Sequence, residues 1–516
     1  MDIVGHRSLR DLLLEREARC ADKTFLTFVA ADGTHISLSY AEFGAGVRGV
    51  AAGLARLGVG KGDKVVVHLG NCPEFLLCWF GVAWLGAVLV PSNTANTERE
   101  LRHVAEHAEA VAVVTAAGYR ELVERALPPE ACHRILVGGQ HPGWVDFAEL
   151  TTATDPPMPP LASADLAELL FTSGTTAAPK ATMLTHANCL FAGEREWRTI
   201  GIDSSDRSLT ALPVFHVNAQ TVTILSALTA GATVVLLEEY SASRFWEQVR
   251  DTGATVLALV AMQLRTLLAQ PPAPTDREHG VRRVMYALNV PEREKTEFER
   301  RFGVELINGY GLSEAMTIVT AAPVHGEKRW PSIGLPAIDR RVRVVLPDGT
   351  DAAPGEVGEI VVGGEPGRNL MLGYYRDPAA TEAVLREGWL YTGDNGYLDE
   401  HGYLYFFDRR KDVIKVAGEN VSATEVEQVL CTHPAVAEAA VIGVPDSVRD
   451  EAVKAFVVPK PDCRLTEESV VEHCAERLAR FKVPTLVEIR ENLPKTSIGK
   501  IEKKLLRAEQ AAEAVR

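Results

Sequence analysis

The sequence predicts an α/β protein: a large N-terminal domain of stacked mixed and parallel sheets with helices, a small β-rich subdomain, and a small α+β domain at the C-terminus. Three observations carry this. Strand-length apolar runs alternate with helical patterns over the first 260 residues, the pattern of βαβ units. Near residue 340 the pattern changes to short strands and turns, as in RVRVVLPDGT and GEIVVGG. The charged run Asp408-Arg409-Arg410-Lys411-Asp412 then precedes about a hundred residues with strands and helices of their own, enough for a small domain. These breaks place the large domain at 1–408, its β-rich part at about 340–408, and the last domain at 409–516.

The elements follow in order. Lys64 to Leu69 (KVVVHL) reads as a strand. Pro73 and Glu74 suit the start of a helix and Gly86 its end, because proline is tolerated in a first turn and glycine accepts the left-handed residue past a last one. Ala87 to Val90 is a strand, a polar helical stretch follows, and Val111 to Val114 is the next strand. Ala232 to Leu237 and Thr255 to Val260 repeat the theme around a helical Ser243 to Thr252. Wholly apolar strands of this kind are expected to be buried on both faces. DPPMPP at 155–160 and QPPAPT at 270–275 read as surface connections, and Asp348-Gly349 as a hairpin turn. Phe75 to Val90 carries no charge over 16 residues, short of the ~20 that a spanning helix needs. It predicts a core helix followed by a core strand.

Composition narrows the function. Lys+Arg is 54 and Asp+Glu 69, a net charge of −15. Such a surface repels nucleic acid and anionic membranes, so neither is an expected partner. Hydrophobic residues at 46% exclude a largely disordered chain. The cysteines are scattered, with no CxxC pair and no zinc spacing. Met1 to Cys20 is charged throughout and has no apolar signal core. Together these predict a reducing, cytoplasmic location.

The segment richest in chemistry is Leu169 to His186, LLFTSGTTAAPKATMLTH. An apolar strand runs into Thr172, Ser173, Gly174, Thr175 and Thr176, then Pro179-Lys180. Hydroxyls and free backbone N–H groups can wrap phosphate oxygens while a lysine supplies charge. A plain polar loop after a strand accounts for the composition about as well, and the Walker A pattern is absent.

Four more segments stand in order: NGYGLSEA (308–315), YTGD (391–394), RRKDVIKVAGENV (409–421) and PKTSIGKIEKKLLR (494–507). Taken with FTSGTTAAPKATMLTH, they resemble the signatures of the adenylate-forming superfamily of acyl-CoA synthetases, luciferases and peptide-synthetase adenylation domains. The match spans essentially the whole chain, and five signatures in order are far more specific than one. HLGNCPEFLLCWFG and FFDRRKDVIK resemble most the crotonobetaine/carnitine–CoA ligase type of acyl-CoA synthetase.

The resemblance implies two steps: a carboxylate attacks the α-phosphate of Mg-ATP, and the CoA thiol then takes the acyl group from the adenylate. It implies that the last domain is mobile and turns between the steps. Thr172, Ser173, Gly174, Thr175, Thr176 and Lys180 would hold the phosphates, and Tyr310, Gly311 and Ser313 the adenine side. Glu314 would hold Mg²⁺, a hard cation that takes oxygen ligands; a merely solvated glutamate is the bland alternative. Tyr310 would stack on adenine, against ordinary core packing. Asp394 and Arg409 would reach the ribose, although Asp394 between Gly393 and Asn395 is also a turn former. Lys500, with Thr176 and Glu314, completes the implied catalytic set. Residues 481–507 carry seven basic and three acidic side chains, which suits an anionic ligand or an exposed basic helix. Lys411 would be the hinge and Gly418 would line the CoA tunnel, where a side chain would block approach. His216, with Leu288 and Asn289, would face the acyl group; a lone histidine beside an aromatic is otherwise structural. Ser422 to Glu425 reads as a capping box.

Some positions depart from the family pattern. Ala177 and Ala181 replace residues that are often glycine, YALNVP at 286–291 replaces a glycine-rich stretch, and Asp408 replaces a glycine. The expected activity is an acid–CoA ligase with ATP, CoA and Mg²⁺. One half-reaction shared with a partner ligase, transfer to a carrier-protein thiol, and a silent nucleotide- or CoA-binding protein are the alternatives. The type it resembles suggests a short acid, and composition also suits a biosynthetic ligase for a terpenoid or polyketide acid. Dimers are common among such proteins.

Overall fold

The computed structural model describes the chain except residues 1, 153–154, 173–178, 288–289, 410–411, 417–418, 447–449, 479, 497–498 and 515–516. By contacts it divides into two compact units, Met1–Arg341 with Val362–Leu390, and Val342–Val361 with Tyr391–Arg516. The β-rich stretch contributes to both.

The first unit holds two large sheets. In one, the strands Thr24–Val29, Thr233–Leu237, Arg207–Thr210, Val256–Val260, Arg283–Ala287 and Glu305–Leu312 lie side by side and pair in parallel. Thr317–Ala321 and Leu335–Pro336 add antiparallel strands at one edge and His35–Ser39 at the other. The second sheet has a parallel core of Val88–Pro91, Lys64–His68, Ala110–Ala116 and His133–Val137. The antiparallel pair Leu166–Thr172 and Lys180–Thr185 extends it. The expected strands at 64–69, 87–90, 111–114, 232–237 and 255–260 are all present within two residues of their ends. Val234, Val235, Leu236 and Leu237 are buried, as apolar strands inside a parallel sheet must be.

The uncharged stretch resolves into the helix Pro73–Trp84 and the strand Val88–Pro91, with Gly86 left-handed between them at φ +69°. Trp79 and Phe80 are buried in the core. No helix among the described residues is long and apolar enough to cross a membrane. Among the described residues none of the eight cysteines forms a disulfide.

In the second unit the strands Val413–Val416, Val436–Asp446 and Asp450–Pro459 form one sheet with Glu419–Ser422 and Leu486–Ile489. Helices Ala423–Leu430 and Glu467–Ala475 cover one face through Val426, Leu430, Val470 and Cys474. On the other face Leu506, from the helix Lys503–Ala514, packs with Phe456 and Ile442. The turn at Asp348-Gly349 closes as expected, with Gly349 at φ +84° and Leu346 N–H donating to Thr350 O at 2.9 Å. The expected capping box is only half formed. Ser422 Oγ accepts from Glu425 N–H at 3.1 Å, but the Glu425 carboxylate binds Lys482 at 2.8 Å instead of reaching back. A charge-assisted bond to an ammonium outcompetes a bond to a backbone amide.

One buried acid makes stability depend on pH. Glu168, in the strand Leu166–Thr172, is fully buried and takes one hydrogen bond, from Gln220 Nε2 at 2.9 Å. Burial pushes its pKa up from 4.5 to about 8. The folded chain therefore keeps a proton that the unfolded chain releases, so stability falls as pH rises from 4.5 towards 8. Glu168→Gln removes its share of that slope, while the share of Glu196, likewise raised to about 8, stays. Between pH 5 and 7 the variant should lose about 2 kcal/mol less than the parent in urea unfolding; equal losses would refute this.

Candidate active site

Parallel pairing sets where the expected site residues fall. The strands Arg207–Thr210, Val256–Val260, Arg283–Ala287 and Glu305–Leu312 are neighbours, and their carboxyl ends share one edge. That edge is where open α/β sheets bind ligands. His216 follows the first strand, and Leu288 and Asn289 follow the third. Tyr310, Gly311, Ser313 and Glu314 lie at or just past the end of the fourth. Ala287 pairs with Gly309, one residue before Tyr310.

Gly311 marks the crowded point of this end. The pairing slips between Tyr310 and Gly311, and a Cβ on Gly311 would lie 2.1 Å from Thr317 O. Any side chain there would push the Thr317 backbone away, which is why glycine stands there. Tyr310 and Glu314 are half-buried.

The expected phosphate loop joins two paired residues. Thr172 and Lys180 face each other across the antiparallel pair, and Thr172 Oγ1 donates to Lys180 O at 3.4 Å. Ser173, Gly174, Thr175 and Thr176 lie outside the described residues, as do Leu288, Asn289, Lys411 and Gly418. Ala181, expected near the phosphates, turns its methyl into the core with Val90 and Leu169.

A residue that the sequence reading missed joins the two acidic and basic elements. Tyr374 pairs with Thr182 in the strand beside Lys180–Thr185. Its hydroxyl donates to Glu314 Oε1 at 2.8 Å, and Lys180 Nζ lies 4.8 Å from its ring centre. Burial and then the Glu314 charge push the Tyr374 pKa well up, so it remains a neutral donor. The Met371 N–H also donates to Glu314 O at 2.8 Å. The Gly-Tyr-Tyr of 373–375 was the only local signal, and it does not name a partner 60 residues away.

His216 is half-buried against Phe215, ring centres 4.8 Å apart. Burial lowers its pKa to about 4, so it is neutral at pH 7. Its Nε2 and the Asn218 Oδ1 have no partner among the described residues. Leu212, Ala219 and Val260 form a small apolar cluster in the same loop region.

In the second unit, Asp394 and Arg409 stand opposite each other across the pair Trp389–Leu398 and Leu404–Arg409. Asp394 is 6% exposed and its N–H donates to Thr392 Oγ1 at 3.1 Å. Gly393, the strand residue before it, has φ +72°. Asp408 is buried and serves the helix that follows: it accepts from Ser422 Oγ at 3.2 Å, Thr424 N–H at 3.2 Å and Thr424 Oγ1 at 3.3 Å. A glycine there would leave those donors without it. Lys500 is exposed, and its O accepts from Thr496 N–H at 2.8 Å. Behind it Lys503 binds Glu427 at 2.8 Å.

Comparison with known proteins adds what geometry alone leaves open. The AMP-binding enzyme family model matches residues 13–375, and the AMP-binding enzyme C-terminal domain matches 425–500. The chain belongs to the AMP-binding enzyme family. It is 40% identical to a crotonobetaine/carnitine–CoA ligase of Salmonella agona (strain SL483), over 98% of this chain and all of that one. The same ligase of Salmonella typhimurium is 41% identical over the same shares. Among solved structures, the anthranilate CoA ligase AuaEII in complex with anthranoyl-AMP is similar at TM-score 0.90 and 25% identity, covering 99% of this chain and 98% of that one. The o-succinylbenzoate CoA synthetase of Bacillus subtilis, in complex with its acyl-adenylate intermediate, gives 0.85 and 28%, covering 96% and 97%.

Tyr374→Phe tests the link between Tyr374 and Glu314. Loss of a hydrogen bond to a carboxylate, worth ~1.5 kcal/mol, should lower kcat/KM for acid-dependent pyrophosphate release about tenfold. An unchanged rate would show that the bond plays no part.

Proposed function

We propose the following assignment of chemistry to this site. The protein is an AMP-forming acid–CoA ligase. A carboxylate oxygen attacks the α-phosphorus of ATP, the bond to the bridging oxygen breaks, and pyrophosphate leaves. The CoA sulfur then attacks the acyl carbonyl, the bond to the AMP oxygen breaks, and the thiol proton is released. Adenylation matters because a carboxylate oxygen is a poor leaving group and AMP is a good one. The observation that carries the proposal is the joining of Lys180 and Glu314 through Tyr374 in a chain that the family's two domains match over residues 13–375 and 425–500.

ATP, CoA and Mg²⁺ are the proposed co-substrates and metal. Glu314 commits one oxygen to Tyr374, and no group of three or more His, Cys, Asp or Glu able to hold an ion occurs among the described residues. This suits Mg²⁺, which takes one or two carboxylates and completes its shell with water and phosphates. When bound it neutralises phosphate charge. Tyr374 holds the Glu314 carboxylate in place, Lys180 and the loop before it bind phosphate oxygens, and Tyr310 offers its face to adenine. Asp394 and Arg409 take the ribose. Lys500 balances charge between the carboxylate and the α-phosphate in the first step only. Residues from 409 onward turn about Lys411 between steps and bring Gly418 to the pantetheine path. The acid is short and carries a polar group that meets His216 and Asn218.

Pyrophosphate release from Mg-ATP across a panel of acids, with and without CoA, tests the activity and identifies the acid. Release without CoA and thioester with it are expected. Thioester only from supplied acyl-adenylates would instead favour a second-step enzyme with a partner ligase. Lys500→Ala should abolish pyrophosphate release yet spare thioester formation from a supplied acyl-adenylate; loss of both steps would sink its role. Gly418→Leu should do the reverse, and unimpaired CoA transfer would reject the tunnel assignment.

A further inference from the structure

Two arginines are buried behind Glu314. Arg195 comes from the helix His186–Ile200, and both its side chain and that of Arg340 are 0% exposed. Buried guanidinium groups are expensive unless every donor is used, so their bonds report what they hold. Arg195 forks onto Asp339, Nε to Oδ1 at 2.5 Å and Nη2 to Oδ2 at 2.8 Å, and its Nη1 donates to Met316 O at 3.0 Å. Arg340 donates from Nη2 to Ala315 O, from Nε to Ile318 O at 3.3 Å, and from Nη1 to Asn369 O. Glu196 Oε1 accepts from Ile318 N–H at 3.2 Å. The main chain at 315, 316 and 318 is thus gripped on both sides of residue 317.

The gripped segment is strained. Met316 has φ +49° and Thr317 φ +70°. A β-branched residue with positive φ is a genuine outlier, and such conformations persist only where the surroundings over-determine them. This turn directly follows Glu314. Its other flank is the 369–374 segment, where Asn369 O takes Arg340, Met371 N–H holds the Glu314 backbone and Tyr374 its side chain. A core that only needed packing would fill this space with apolar groups at lower cost.

We propose that Arg195, oriented by Asp339, and Arg340 are positioning residues for adenylation: with Glu196 on the Ile318 N–H, they hold the left-handed turn at Met316-Thr317 that aims the Glu314 carboxylate. The assignment rests on Glu314 serving Mg-ATP. Arginine matters here for its planar fork, which a lysine does not supply.

The test uses the full-length protein and Mg-ATP alone. The rise in Tm caused by ATP is measured with Mg²⁺ and with EDTA, and the difference is the Mg²⁺-dependent increment. In Arg340→Lys the increment should fall by more than half, and half-saturating Mg²⁺ for pyrophosphate release should rise at least fivefold. Adding Thr317→Gly should restore part of both, because glycine takes a positive φ without a clamp. A variant with lower Tm but an unchanged increment and unchanged Mg²⁺ requirement would overturn the proposal and leave a purely structural cluster. If Arg340→Lys does not fold, Asp339→Asn is read in the same way, with about a threefold rise expected and no rise overturning it. Glu314→Gln is the control: if it keeps the full increment, it is the assignment of Glu314 that has failed rather than the clamp.

Discussion

Parallel pairing of four neighbouring strands is the constraint on which the first unit's site depends. A parallel strand needs a crossover before the next, so every connection returns to the same starting edge. The carboxyl ends of Arg207–Thr210, Val256–Val260, Arg283–Ala287 and Glu305–Leu312 therefore open on one side. Residues that are about a hundred positions apart, such as His216 and Glu314, leave from that same edge. Register matters as much as direction: a slip of one residue would exchange the two faces of a strand and displace the Ala287–Gly309 pairing beside Tyr310.

Charge is managed by burial. A chain of net charge −15 that handles a polyanion must keep its own carboxylates from opposing it. Glu168 and Glu196 are both pushed to about 8 by burial and so stay largely protonated at neutral pH. His216, lowered to about 4, stays neutral too. Asp339, partly buried, keeps its charge, because Arg195 outweighs the burial. Lys180, in the second sheet, supplies local positive charge beside Tyr374 and Glu314.

The second unit applies the same economy to its backbone. Asp408 satisfies the start of the helix Ala423–Leu430 through Ser422 and Thr424. Lys482 draws Glu425 away from the capping position that its spacing suggested. Lys503 is half-buried against Glu427, and although burial opposes its charge, Glu427, Asp412 and Asp408 raise its pKa above the ordinary lysine value. These pairs stiffen the part of the unit that presents Lys500.

What was legible in the sequence was local. Strand-length apolar runs, the Pro73 start and Gly86 stop of a helix, the Asp348-Gly349 turn and the order of the five signature segments are written within a few residues of one another. Period, turn chemistry and capping act over that distance. The tertiary structure alone decided the pairings between distant segments. Tyr374 meeting Glu314, Arg195 and Arg340 converging on the turn after it, and Ala181 facing the core all depend on which strands become neighbours. The free energy of those contacts comes from burial and from leaving no charged group without a partner, and neither is a property of any short stretch of chain.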